Sequence, residues 1–211
     1  MDISSLRREI SYYFVDNSQP ALLTYSLPLA LALKSEEITP TPNVTLEKCF
    51  EQLFKGKRVG DIGCRTGLFL KFARSFGAEV YGTTGRGLEE AKKEHGAKHI
   101  FNAEASDAAR HLRPLNLDLL FSVNLFNTGR LQKPSEPPFD APKLLNKILD
   151  AASPQTKFFL APATEPTGSS LREAHVTSNP RIHELKHYHA IIDNQPNLKP
   201  LQGKLYSFRV R

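Results

Sequence analysis

The run Val59-Gly60-Asp61-Ile62-Gly63-Cys64-Arg65-Thr66-Gly67-Leu68-Phe69 carries the sharpest chemical signal in the chain. An acid stands near the end of an apolar strand, glycines allow a tight turn, and a helix starts at once. Glycine removes the Cβ that would hold a ligand off the backbone, and a helix start presents amides without internal partners. Such a turn suits a nucleotide-like ligand. A dinucleotide turn requires G-x-G-x-x-G, whereas the order here is acid-x-Gly-x-x-x-Gly, which argues against a nicotinamide-dependent oxidoreductase. His183-x-x-x-His187-x-His189 is a second group. On a helix, His183 and His187 would share a face and offer two metal bonds. No cysteine lies nearby and Glu184 falls off that face. The group therefore reads as polar strand or helix surface with no metal site, and a proton-accepting role stays open for one of the three. Asn124 and Asn127 follow an apolar strand, where a second substrate would enter.

These residues need a framework, and the chain supplies an alternating one. The first 35 residues read as helical pieces, with Leu6, Ile10 and Tyr13/Phe14 at three-to-four spacing. Residues 38–43 form a linker whose two prolines exclude regular helix. Thr45 is placed to cap a helix over Leu46–Phe54. Strands follow at Val59–Ile62, Glu79–Gly82, Lys98–Phe101, Leu117–Val123 and Phe158–Ala161. Helices separate them at Gly67–Phe76, Leu88–His95, Ser106–Leu112 and Lys143–Ala152. In the first of these, Leu68, Phe72 and Phe76 form one stripe beside Phe69 and Ala73, and Gly77 ends it. The Pro-rich stretch 133–142 reads as a surface loop beside the same cleft. A sixth strand is expected within Ile182–Ile192 and a seventh around Tyr206, Phe208 and Val210. Strands alternating with helices predict a mostly parallel sheet covered on both faces. Residues 1–44 then form an N-terminal helical extension and linker, and residues 45–211 the main domain.

Composition fits one such domain. The chain has 211 residues, 40% of them hydrophobic, with 13 Phe, and two domains would be cramped. Its formal charge of +6 is uneven. Residues 1–55 carry 5 basic and 7 acidic groups, residues 56–150 carry 15 and 11, and residues 151–211 carry 8 and 4. The positive excess on the later segments favours anionic partners, although no run of five Lys or Arg occurs. Cys49 and Cys64 are the only cysteines, and Cys64 lies inside the glycine turn, so a disulfide is not expected and a reducing compartment fits. Pro20 and Pro28 interrupt the apolar stretch 21–33, which is too short to span a membrane and lies too far in for a secretory signal. A cytoplasmic location follows as the expectation.

Asp61-Ile62-Gly63-Cys64-Arg65-Thr66-Gly67 resembles motif I of class I S-adenosylmethionine-dependent methyltransferases, whose common form is Asp-x-Gly-x-Gly-x-Gly. Three later segments resemble the family in the same order. Glu79–Thr84 is similar to its second strand, Asn102-Ala103-Glu104-Ala105 to the segment after its third, and Leu117–Ser122 to motif IV. The resemblance covers about 150 residues from Lys57 onward. It implies a Rossmann-like fold with a seven-stranded, mostly parallel sheet and helices on both faces. It also implies S-adenosylmethionine as cofactor. Gly63 and Gly67, with Cys64 and Arg65 between them, would bracket its methionine part, and Asp61 would organise the site around its amino group. Thr83 and Thr84 would face the ribose, Glu104 and Ala105 the adenine edge, and Ser122 would end the strand beside the methyl donor.

Two positions depart from the family pattern. Arg65 replaces the middle glycine, and its side chain must point away or meet a carboxylate or phosphate. Thr84 stands where the family places a ribose-binding acid; a neutral hydroxyl bonds more weakly than a carboxylate. Ser122-Val123-Asn124-Leu125 also lacks the Asn/Asp-Pro-Pro-aromatic signature of amino-methylating enzymes. Two functions follow: methyl transfer to a small-molecule or nucleic-acid acceptor, or a non-catalytic methyltransferase-like binding or scaffold protein with a degenerate cofactor site and a protein partner. No membrane association is expected, and catalytic residues are not assigned. In small-molecule enzymes of the family an N-terminal helix folds over the cofactor as a lid, which gives Tyr12, Tyr13 and Phe14 either an aromatic contact or a plain anchoring role.

Overall fold

The computed structural model describes residues 2–126, 140–161, 171–192 and 201–211, apart from the side chains of 189–192 and 201–204. Helices α1 (Ile3–Asp16) and α2 (Ser26–Ser35) open the chain, joined by a 3-10 turn at Pro20–Tyr25. Then come α3 (Leu46–Phe54), β1 (Arg58–Ile62), α4 (Leu68–Ser75), β2 (Glu79–Thr84), α5 (Leu88–His95) and β3 (Ile100–Asn102). After them lie α6 (Ala108–Leu112), β4 (Leu119–Val123), α7 (Ala141–Leu149), β5 (Lys157–Ala161), α8 (Glu173–Thr177), β6 (Ile182–Ile192) and β7 (Leu201–Val210).

The seven strands form one sheet in the order β3-β2-β1-β4-β5-β7-β6. Strands β1 to β5 pair in parallel, and β7 enters antiparallel between β5 and β6. Buried on both faces, β4 and β5 read as continuous apolar runs rather than alternating ones. Phe121 and Phe159 face one side, stacked with centroids 4.9 Å apart, among Phe50, Phe54, Phe69 and Phe72 of α3 and α4. Leu120, Phe158 and Leu160 face the other side, with Leu145, Ile148 and Leu149 of α7. Residues 1–44 share the first of these cores. Leu6, Ile10, Phe14 and the α2 residues Leu29, Leu31 and Leu33 are buried in the same cluster as Phe50, Val59 and Phe121. Lys157 Nζ ties the end of α2 to β5, donating to the Ser35 carbonyl at 3.0 Å and the Glu36 carboxylate at 2.5 Å.

Local chemistry sets the element ends. The Thr45 hydroxyl accepts from the Lys48 amide and starts α3 where the sequence places it. Gly77, at φ 86, closes α4: its amide donates to the Arg74 carbonyl and that of Ala78 to the Ala73 carbonyl. Two expectations need correcting. Leu68 is 46% exposed, so the buried stripe of α4 is Phe69, Leu70, Phe72 and Ala73. Pro142 belongs to α7, within a first turn capped by Asp140, where its missing N–H costs no helical bond. The expected sixth strand is present as β6 and carries His183 and His187, with a register shift between His183 and Lys186. The rest of the Pro-rich loop, residues 133–139, and Asn127 lie outside the described residues, as does the His189 side chain. Among the described residues no helix is long and apolar enough to cross a membrane.

Candidate cofactor site

The glycine turn leaves the carboxyl end of β1 in the middle of the sheet, where parallel α/β folds leave a crevice. Gly63, Arg65 and Gly67 have φ of 80, 51 and 79, all left-handed. The turn hangs on β2, because the Gly63 and Cys64 amides donate to the Thr83 carbonyl at 2.9 and 3.0 Å. It closes on itself through the Gly67 amide and the Cys64 carbonyl at 2.9 Å. The buried Cys64 thiol fills space left by Gly82, where a Cβ would lie 2.6 Å from its sulfur. Burial pushes that thiol well above its ordinary range. Both cysteines are reduced and buried.

Asp61 is the centre of the site and has no exposed surface. Its Oδ2 accepts the Tyr25 hydroxyl at 2.8 Å, while Oδ1 is buried with no hydrogen-bond partner. Burial raises the carboxyl to about 7, opposed by the Tyr25 bond. The same burial, and the neighbouring Asp61, keep the Tyr25 phenol protonated far above its usual range. The Tyr25 ring stacks on Phe69 at 4.4 Å with 3° between planes. Arg65 takes a left-handed backbone conformation and is exposed. Its positive charge acts on Tyr25, favouring the phenolate slightly.

Both turn glycines are covered by other parts of the chain. A Cβ on Gly63 would lie 2.8 Å from Leu125, and one on Gly67 would lie 2.7 Å from the His95 ring. His95 Nε2 sits 2.9 Å from the Gly67 carbonyl, which can only accept, so that nitrogen carries the proton. Burial disfavours a second proton on the ring.

On β2, Thr83 is buried with its hydroxyl unpartnered, and the Thr84 hydroxyl is engaged with the backbone of Arg86. Glu104 is exposed, and its carboxylate packs over Gly85 at the end of β2. Ala105 begins the short 3-10 turn that follows and is half-buried. Ser122 is buried at the end of β4 with its hydroxyl unpartnered. Register separates these groups. Asp61 stands beside Gly82 and Phe121, and Ile62 beside Thr83 and Ser122, so Asp61 faces one side of the sheet and the two hydroxyls the other. The turn and the Glu104–Gly85 contact after β2 therefore lie together at the carboxyl end of the sheet, while the Thr83 and Ser122 hydroxyls belong to the opposite face. Asp118 sits at the far end of β4, where its carboxylate accepts the Arg58 amide at 2.7 Å and fixes strand register.

Tyr25, Leu125 and His95 are the contributors that sequence spacing missed. His95 carried one signal, as the last helical residue before Gly96; Tyr25 and Leu125 carried none. His183 and His187 of β6 do not gather: His183 pairs with Arg209 and His187 with Tyr206, three residues apart on β7 and hence on opposite faces. Among the described residues no cluster of metal ligands occurs. A surface cavity of about 470 Å³, lined by Asn146, His175, Asn179 and Arg181 among others, opens between α7 and the turn into β6.

No family model matches the chain, and no curated protein matches it. Solved structures do. A protein from Thermoplasma acidophilum aligns over 100% of this chain and 99% of its own, with 13% identity and a TM-score of 0.51. A TehB-like SAM-dependent methyltransferase from Corynebacterium glutamicum aligns over 74% of this chain and 82% of its own, with 17% identity and a TM-score of 0.50. The antiparallel β7 between β5 and β6 completes the pattern. The chain has the class I methyltransferase fold. The donor set fits an amino acid's ammonium group, because the buried Asp61 Oδ1 is an acceptor without a donor. The two glycines would be required in any case by their own backbone angles and by Leu125 and His95.

Proposed function

We propose that this chain binds S-adenosylmethionine at the Asp61–Gly67 turn and transfers its methyl group to an acceptor entering over the carboxyl end of β4. The observation that carries this reading is the unpartnered Oδ1 of Asp61, buried beneath a glycine turn on a methyltransferase fold. A buried acceptor with no donor costs about 1–3 kcal/mol, and a ligand's ammonium would relieve that cost. When bound, the cofactor supplies a methyl group on a sulfonium, which needs no covalent intermediate with the protein. The chain's task is then to position and to exclude water. Asp61 would hold the ammonium, the turn backbone at Gly63–Gly67 would lie along the methionine part, and Glu104 over Gly85 would stand in for the acid missing at Thr84. The positive excess on residues 56–211 supports an anionic acceptor, small molecule or nucleic acid.

Calorimetric titration with S-adenosylhomocysteine tests the reading. Heat of binding and a raised unfolding temperature are expected, and both vanish in Gly63→Arg, whose side chain would occupy the turn. No heat and no thermal shift at saturating ligand would sink it. A second reading, a non-catalytic methyltransferase-like binding or scaffold protein, is favoured by one observation: Tyr25 already holds Asp61 and Leu125 already covers Gly63. That reading expects a null titration and a protein that copurifies with the chain.

A further inference from the structure

We propose that Tyr25 is a displaceable plug, built into the chain, that occupies the ammonium subsite at Asp61 and must withdraw before the cofactor can seat. The proposal rests on the cofactor reading above. Three observations carry it. The Tyr25 hydroxyl already holds one Asp61 oxygen at 2.8 Å, while the other has no partner. The Tyr25 ring stacks flat on Phe69, in the first turn of α4, directly after the glycine turn. Asp61 itself is fully buried, and the Tyr25 hydroxyl is the donor that reaches it.

The segment that carries Tyr25 is built differently from its flanks. Tyr25 ends a 3-10 turn, Pro20–Tyr25, whose hydrogen bonds are poorer than those of α-helix. Before the turn, Ser18 sits at φ 57, an uncommon conformation for a residue with a side chain. After it, α2 is buried along nearly its whole length and pinned through Lys157. Leu22 is the one buried residue of the turn, and Leu23 is 40% exposed. Movement is thus directed to residues 18–25, with α2 as the fixed end. Arg65, in the same turn as Asp61, is exposed, and its guanidinium offers a carboxylate of the incoming ligand a partner. An ammonium beside Asp61 and a carboxylate beside Arg65 together describe a free α-amino acid group.

A closed plug lowers apparent affinity by the fraction of molecules that are open. Tyr25→Phe keeps the ring on Phe69 and removes the bond to Asp61, a bond to a charged or chargeable group of the stronger class. The variant is expected to bind S-adenosylhomocysteine about tenfold tighter than wild type or better in calorimetric titration. Hydrogen exchange on the wild-type chain supplies an independent readout: saturating S-adenosylhomocysteine is expected to speed exchange at residues 18–25. Equal or weaker binding by Tyr25→Phe, or slowed exchange at 18–25, overturns the plug and leaves the cofactor reading standing. If neither wild type nor Tyr25→Phe binds, the cofactor reading falls and the plug falls with it.

Discussion

Asp61 combines a full burial with a single hydrogen bond, and its ionisation becomes a stability problem. Its carboxyl is raised to about 7 by burial, against about 3.9 in an unfolded chain. Between those values the native state keeps a proton that the unfolded state has lost. Stability therefore falls as pH rises through that window, by up to about 1.4 kcal/mol per pH unit, and levels off above about pH 7. Asp61→Asn cannot titrate. Urea unfolding from about pH 4 to pH 8 should show wild type losing stability relative to this variant across the window. A difference that stays flat would mean that the carboxyl is ionised throughout. The acid was legible in the sequence from its place just ahead of the glycine turn. Its partner was not, since the Tyr25 contact spans 36 residues and depends on how α2 packs.

Helices α1 and α2 act as an integral layer of the molecule rather than as an appendage. Leu31 has no exposed surface and lies in the cluster that includes Phe50 and Phe121. Leu31→Ala should destabilise the whole chain by about 2–5 kcal/mol, the cost of a buried leucine truncation, measured by urea unfolding. A loss below about 1 kcal/mol would show the layer to be detachable. Sequence pattern located these elements well where local chemistry ends them. Thr45, Gly77 and Gly96 each mark a boundary through a cap or a left-handed angle, and α3 and α5 have the bounds that these residues imply. It failed where tertiary placement decides. Leu68 falls in step with Phe72 along the helical period, yet it sits in the first turn of α4 beside the open crevice. On β6, Glu184 at φ 50 marks an irregularity that no residue spacing reveals.

Across the whole molecule, the alternation of strands and helices gave the sheet, while the antiparallel entry of β7 had to come from the coordinates. The fold is carried by two cores, one on each face, and the first joins α1 to β5. Thermal unfolding should accordingly follow one cooperative transition, with far-UV circular dichroism and tyrosine absorbance superimposing. Two separate steps would place residues 1–44 in a folding unit of their own. The site drew on both levels: its acid and glycines on motif order, and its coverings on packing that brings Tyr25, His95 and Leu125 to one turn.

The outer strand β6 has one more effect. At 11 residues it is the longest strand among the described residues, and it stands at the rim of the sheet, with no further strand of the described residues beyond it. A straight rim of that length would be a template on which another copy could add its own strand. The register shift between His183 and Lys186, with Glu184 turned to φ 50, breaks the row of backbone donors and acceptors near its start. The same kink that separates the histidines therefore guards the chain against edge-to-edge aggregation.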